Sequence, residues 1–243
     1  GTLNLNGKFA SKKGDGTFKF TMNDEFKSYL STTFNEDAIR NSTMFSLFLA
    51  DIDKEYIAFL QSAGFKDLEF ADLKDLGIHE VKLADLKKMK TDLDELGYDN
   101  PNIQEVAQLF VHDVTPDYIQ NLGKEVYEDL SLKEVVAAKI HDVDPNYIKE
   151  FKEAGYDTKY QNIVNFAVHE VDLKYIESLK KAGLDNLTEE QIVQAAIHEV
   201  NPTYLKQFED SKYKDLKFEQ IIQFAIHEVD MDYIDELKNA GLN

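Results

Sequence analysis

His141-Asp142-Val143-Asp144-Pro145-Asn146-Tyr147-Ile148, running on to Ala154-Gly155-Tyr156, is the stretch that decides the fold. Its first three residues recur. All six histidines of the chain (His79, His112, His141, His169, His198 and His227) stand in the same tripeptide, His-[Glu/Asp]-Val, at spacings of 33, 29, 28, 29 and 29 residues. Ala50-Asp51-Ile52 occupies the same register 29 residues before His79. A fixed period near 29 is the signature of a repeat architecture.

Each position of the repeat has a physical reading. Three residues after the anchor stands Asp53, Thr115, Asp144, Asp172, Asn201 or Asp230, with Lys82 as the exception. Proline follows at 116, 145 and 202. An oxygen-bearing side chain satisfies an orphan N–H at a helix start, and proline's fixed φ suits the first turn. Tyrosine comes three residues after the cap in six units, at 56, 118, 147, 175, 204 and 233. In this phase it adjoins the core positions, which predicts a packed ring with its hydroxyl at the surface. Val143 with Ile148 and Val229 with Ile234 have the spacing of a hydrophobic staple. This helix, A, stops at Gly64, Gly97, Gly155, Gly183 or Gly241, where glycine takes the left-handed conformation. A second helix, B, opens at the capping boxes Ser131-x-x-Glu134 and Thr188-x-x-Gln191, carries Ile192, Val193, Ala196 and Ile197 toward a core, and ends near His198.

Helices of about ten residues are not stable alone, so the units must stack. The expected fold is mainly α: an α-solenoid of short helix-pair repeats with an N-terminal β-hairpin cap. Residues 1–22 form the hairpin, where Leu3, Leu5 and Phe9, then Phe18, Phe20 and Met22, alternate across Lys12-Lys13-Gly14-Asp15-Gly16. Residues 23–243 form the array, one continuous domain of about seven units plus a terminal helix. Eight A helices and seven B helices follow. The divergent places are 80–105, with a four-residue insertion, and Lys212, which stands where glycine is usual.

Charge narrows the partners. The net charge is −19; four lysines and one aspartate make residues 1–22 +3 and leave −22 on the array. Such a surface repels phosphate backbones and anionic lipid, which argues against nucleic acid. With no cysteine there is no disulfide framework and no thiolate metal site. No apolar run is long enough for a membrane helix. The start at Gly1 rather than methionine suggests a trimmed leader.

The unit at 141–156, with the lead-in Gly16-Thr17-Phe18-Lys19-Phe20 and Asn23-Asp24-Glu25-Phe26, resembles a family of short helical repeats. Those repeats occur in exported bacterial proteins and beside membrane metallopeptidases of the β-lactam-sensor type. The resemblance covers nearly the whole chain. It implies a periplasmic or otherwise exported location and a sensing or scaffolding role, and it brings no catalytic residues.

Candidate chemistry is sparse. A zincin needs a second histidine one turn after His-Glu, and the residues found there are Leu83, Pro116, Pro145, Leu173, Pro202 and Met231. Equivalent histidines on stacked helices lie farther apart than two ligands of one zinc ion. His79, His112, His141, His169, His198 and His227 therefore remain weak metal candidates. Their structural role is at the end of helix B, with rings donating to orphan carbonyls. No phosphate loop, nucleophile triad or carboxylate cleft stands out, and no cofactor is expected. The sequence points to a non-catalytic module that binds another protein, as a monomer or an oligomer of unknown order. The alternative is a metal- or pH-responsive sensor using the repeated histidines.

Overall fold

The computed structural model of the chain describes residues 1–10, 13–65, 68–126, 129–156, 159–209, 211, 213 and 216–241, with backbone alone at 9, 10 and 209. Among the described residues a two-stranded antiparallel sheet, β1 (Thr2–Ala10) and β2 (Lys13–Thr21), precedes fifteen helices. The A helices are α1 (Asp24–Phe34), α3 (Lys54–Ser62), α5 (Leu83–Glu95), α7 (Pro116–Val126), α9 (Pro145–Glu153), α11 (Leu173–Lys181), α13 (Pro202–Glu209) and α15 (Met231–Asn239). The B helices alternate with them: α2 (Asn41–Leu49), α4 (Phe70–Ile78), α6 (Ile103–Val111), α8 (Leu132–Ile140), α10 (Tyr160–Val168), α12 (Glu189–Ile197) and α14 (Phe218–Ile226). Contacts divide the chain into two compact units, Gly1–Gln120 with Ser131–Val136, and Asn121–Leu130 with Ala137–Asn243.

The caps form as the side-chain chemistry requires. Asp53, Thr115, Asp144, Asp172, Asn201 and Asp230 each accept the N–H of the tyrosine three residues on, at 2.6–3.2 Å. The Ser131/Glu134 and Thr188/Gln191 boxes close in both directions. Helix A ends with Gly64, Gly97, Gly155, Gly183 and Gly241 at φ between 76° and 92°. The insertion in the third unit lengthens helix A: α5 has thirteen residues where α3 and α9 have nine. Four residues are close to one helical turn, so the apolar face keeps its direction.

In the first compact unit α2 packs against α4 and α4 against α6. Leu47, Leu73, Leu76, Val106 and Leu109 have no exposed surface there. Gly77 permits the α2–α4 approach, since a Cβ on it would lie 3.1–3.3 Å from Leu47 and Ser46. The hairpin joins this unit through aromatic rings, Phe20 lying 5.1 Å from Phe45 and 5.2 Å from Phe48. Its register pairs Leu3 with Phe20, Leu5 with Phe18 and Gly7 with Gly16. Gly14, Asp15 and Gly16, expected in the turn, belong instead to β2. The pairing of Ala10 with Lys13 moves the tip to residues outside those described, Lys12 included. The Phe9 side chain and Lys212 also lie outside the described residues. In the second unit α10 meets α12 and α11 meets α13. Leu179, Ala195, Val200, Ile221 and Ile222 form a buried cluster there, with Tyr175 and Tyr204 packed against it.

The tyrosines correct the surface expectation. The hydroxyls of Tyr56, Tyr147, Tyr175 and Tyr204 turn inward and donate to the carbonyls of Val81, Val171, Val200 and Val229, at 2.7–3.0 Å. Each acceptor is the valine of the next His-Glu-Val. That valine has left helix B and is one to two residues short of the next helix A. Val81, Val171 and Val200 are buried, so without the phenol their carbonyls are removed from water with no intrahelical donor. Burial pushes the Tyr175 and Tyr204 phenols up to about 12, Asp230 adding to the effect at Tyr204. It raises Tyr56 and Tyr147 as well.

Tyr175→Phe is expected to destabilise the protein by about 1–2 kcal/mol in urea unfolding, the cost of an orphaned buried carbonyl. A phenol with a raised folded pKa favours the folded state fully below its ordinary value of 10. That contribution disappears as pH rises through about 12. Stability should therefore fall across this window, and fall less in Tyr175→Phe.

Candidate functional ledge

The junction between helix B and the next helix A carries the repeat's unexplained residues. The histidines follow directly on helix B: His79, His112, His169, His198 and His227 are C-caps of α4, α6, α10, α12 and α14, and His141 follows α8. Their backbone N–H groups bond the carbonyl four residues back, as in His198 to Gln194 at 3.2 Å. The rings do not act as expected. Among the described residues no imidazole makes a hydrogen bond or ion pair, so ring donation to orphan carbonyls is replaced by a backbone solution.

That solution needs the next residue in the left-handed region. Asp51, Glu80, Asp113, Asp142, Glu170, Glu199 and Glu228 all have φ between 51° and 58°. The following N–H then reaches the carbonyl five residues back, as in Val200 to Ala195 and Val171 to Phe166, both 2.8 Å. This is a Schellman closure. Five A helices make the same kind of turn with glycine and α1 makes it with Asn35, at φ 52°; helix B makes it with an acid in all seven units. An L-residue is strained at this φ, and a carboxylate there also opposes the negative end of the helix dipole. Aspartate tolerates this region better than most residues, which suits Asp51, Asp113 and Asp142, but local structure gives no reason for Glu80, Glu170, Glu199 and Glu228. One of the seven acids is answered by a cation: Lys82, the residue that breaks the N-cap rule, bonds Asp51 at 2.9 Å and donates to the Leu49 carbonyl.

Beside each acid lies an exposed aliphatic side chain. The last residue of helix B is Leu49, Ile78, Ile140, Val168, Ile197 or Ile226, each 38–63% exposed, and Val111 is half-buried. Ile197, expected in the core, is corrected by this finding. Ile192 and Ala195 face inward, and 100° per residue carries Ile197 well off their face. Five repeats thus present an exposed aliphatic side chain, an imidazole and a carboxylate in consecutive positions; Ala50 replaces the imidazole in the first, and Val111 is only half-exposed in the third. In the first compact unit the acids are Asp51, Glu80 and Asp113; in the second they are Asp142, Glu170, Glu199 and Glu228.

The structure does not gather the candidate metal ligands. Among the described residues no group of three or more histidine, aspartate or glutamate side chains is placed to share an ion. Asp72 is buried and has one carboxylate oxygen without a partner, but its other oxygen accepts the Glu69 N–H at 2.6 Å, at the start of α4. Its position is that of a cap, away from both cavities described next.

Two cavities open at equivalent places in the repeat. One, about 260 Å³, lies in the second unit between Tyr175, Ala196, Glu199 and Asn201, with His169 and Glu170 beside them. The other, about 460 Å³, lies in the first unit, where the same register supplies Phe26, Phe48, Asp51 and Asp53, and the hairpin supplies Gly1 and Phe20. Neither the ledge nor the cavities are legible from motif spacing. The visible signal for the ledge was an acid, seven times, directly after a helix end where glycine serves helix A.

No protein-family model, curated protein or solved structure matches the chain.

Replacing Glu170 with glycine is expected to raise stability by about 1 kcal/mol, because the left-handed strain is removed. Glu170→Val should lower it by at least as much, since a β-branched residue tolerates this φ least. Thermal or urea denaturation of the two variants checks both signs.

Proposed function

We propose that this chain is a non-catalytic, exported α-solenoid of helix-pair repeats, capped by its hairpin, that binds a basic amphipathic protein segment. The observation that carries the reading is the ledge: an exposed aliphatic residue beside a left-handed acid, repeated in unit after unit. Scattered single apolar residues on a surface are ordinary, but six in one phase of a repeat are a patterned surface. The four glutamates are kept where backbone strain and the helix dipole both disfavour them, so their use lies outside the fold. Alternating apolar and acidic positions match a partner that alternates apolar and basic ones, with charge guiding encounter and the aliphatic residues supplying contact. The solenoid arrangement is supported by B-helix packing and tyrosine bonds between successive repeats within each compact unit. Export follows from the repeat resemblance. The absence of any helix able to cross a membrane, among the described residues, agrees with a module that is not itself membrane-inserted.

The test is a triple variant, Val168→Asn, Ile197→Asn and Ile226→Asn, compared with Glu150→Asn, Glu177→Asn and Asp235→Asn on exposed positions of helix A. Both should unfold near the wild-type midpoint, since exposed substitutions shift stability by about 0.5 kcal/mol or less each. Wild type and the helix-A variant are expected to retain the same basic protein from an envelope extract, more weakly at high salt. The ledge variant is expected to lose it. Equal retention by the two variants, or retention indifferent to salt, would overturn the reading.

A further inference from the structure

The cavity of about 460 Å³ beside the hairpin differs from its counterpart in one informative way. In the counterpart, Tyr175 donates its hydroxyl to Val200 at 2.7 Å. The tyrosine position of the first unit holds Phe26, and the valine position holds Ile52. Both line the cavity. Ile52 is 3% exposed, and among the described residues nothing donates to its carbonyl. The fold thus keeps the acceptor that four other repeats fill with a phenol, and here omits the donor.

The surroundings define what would supply it. Phe20, Phe26, Met44 and Phe48 give an apolar floor; alanine stands where Phe48 does in the smaller cavity. At the rim Glu25 is held by Lys54 at 2.7 Å, Asp51 by Lys82 at 2.9 Å and Glu55 by Lys87 at 3.3 Å. Among the described residues Asp53 makes no ion pair, Lys54 being turned to Glu25. One of its oxygens caps α3 through the Tyr56 N–H, and the other is left for a ligand. A buried carbonyl without a donor, the second oxygen of Asp53 next to it and three phenylalanine side chains lining the same cavity together favour a donor that is positively charged.

We propose that this cavity binds a small organic monocation, a primary ammonium on an aromatic or aliphatic body. The ammonium donates to the Ile52 carbonyl and to the free oxygen of Asp53, and the body rests on Phe20, Met44 and Phe48. The site does not rest on the ledge reading, because Phe26 and Asp53 are not part of the ledge.

The probe is phenethylammonium, titrated by calorimetry into the full chain, with 3-phenylpropionate as the anionic counterpart. Saturable binding of one phenethylammonium per chain and none of the anion is expected. Phe26→Tyr restores the missing phenol to Ile52; it should raise the unfolding midpoint and weaken the probe about tenfold or more, the worth of one charge-assisted hydrogen bond. Asp53→Asn keeps an N-capping oxygen and removes the charge, and should weaken binding by a similar factor with little loss of stability. No saturation in the millimolar range, equal binding of the anion, or unchanged affinity in Phe26→Tyr would each overturn the proposal.

Discussion

A tyrosine hydroxyl on the next repeat's valine carbonyl is the interaction on which the rest depends. The junction after helix B leaves a backbone carbonyl on a buried residue at Ile52, Val81, Val114, Val143, Val171 and Val200, and on a half-buried one at Val229, outside the helix that would have satisfied it. The phenol of the preceding helix A closes that gap in four observed cases, and in doing so ties repeat to repeat. The bond is local in chemistry and long in sequence, 24 or 25 residues. Ring packing explains why the residue is aromatic; only the carbonyl explains why it is tyrosine.

The same junction explains the division of labour between the two helix ends. Five of the A helices stop on glycine, at no steric cost. Helix B stops on an acid held in the same half of φ space, in most units with an exposed aliphatic residue and a histidine before it. Because the backbone closes its own hydrogen bonds there, the three side chains are released from structural duty. A fold that solves its helix end with backbone alone leaves that end available as a surface. The histidines mark the register without bonding, and the acids and aliphatics present themselves to whatever the array meets.

Where the rule is broken, something else takes over. Lys82 replaces an N-cap and answers Asp51 and the end of α2 instead. Phe26 replaces a tyrosine and leaves an acceptor open at the cavity beside the hairpin. Four extra residues in α5 are absorbed as one turn. Each departure from the repeat has a local physical consequence, and the third repeat, α5 with its N-cap, collects two of them.

The helices, their order and their caps were determined by sequence alone, because capping oxygens, N1 prolines and terminal glycines act within four residues of where they stand. The hairpin followed from alternation, although its tip did not: glycines at 14 and 16 resemble a turn, and cross-strand register placed them in a strand. The direction of a side chain at a helix end depends on what packs nearby, so Ile197 read as core and proved exposed. A hydroxyl's partner 25 residues away is invisible to local pattern, so the tyrosines read as surface groups and proved to be ties. The exposure of the ledge and the cavity are likewise tertiary facts: packing leaves the last residue of helix B outside the core, and the cavity forms where the hairpin, Phe26 and the α2–α3 junction meet.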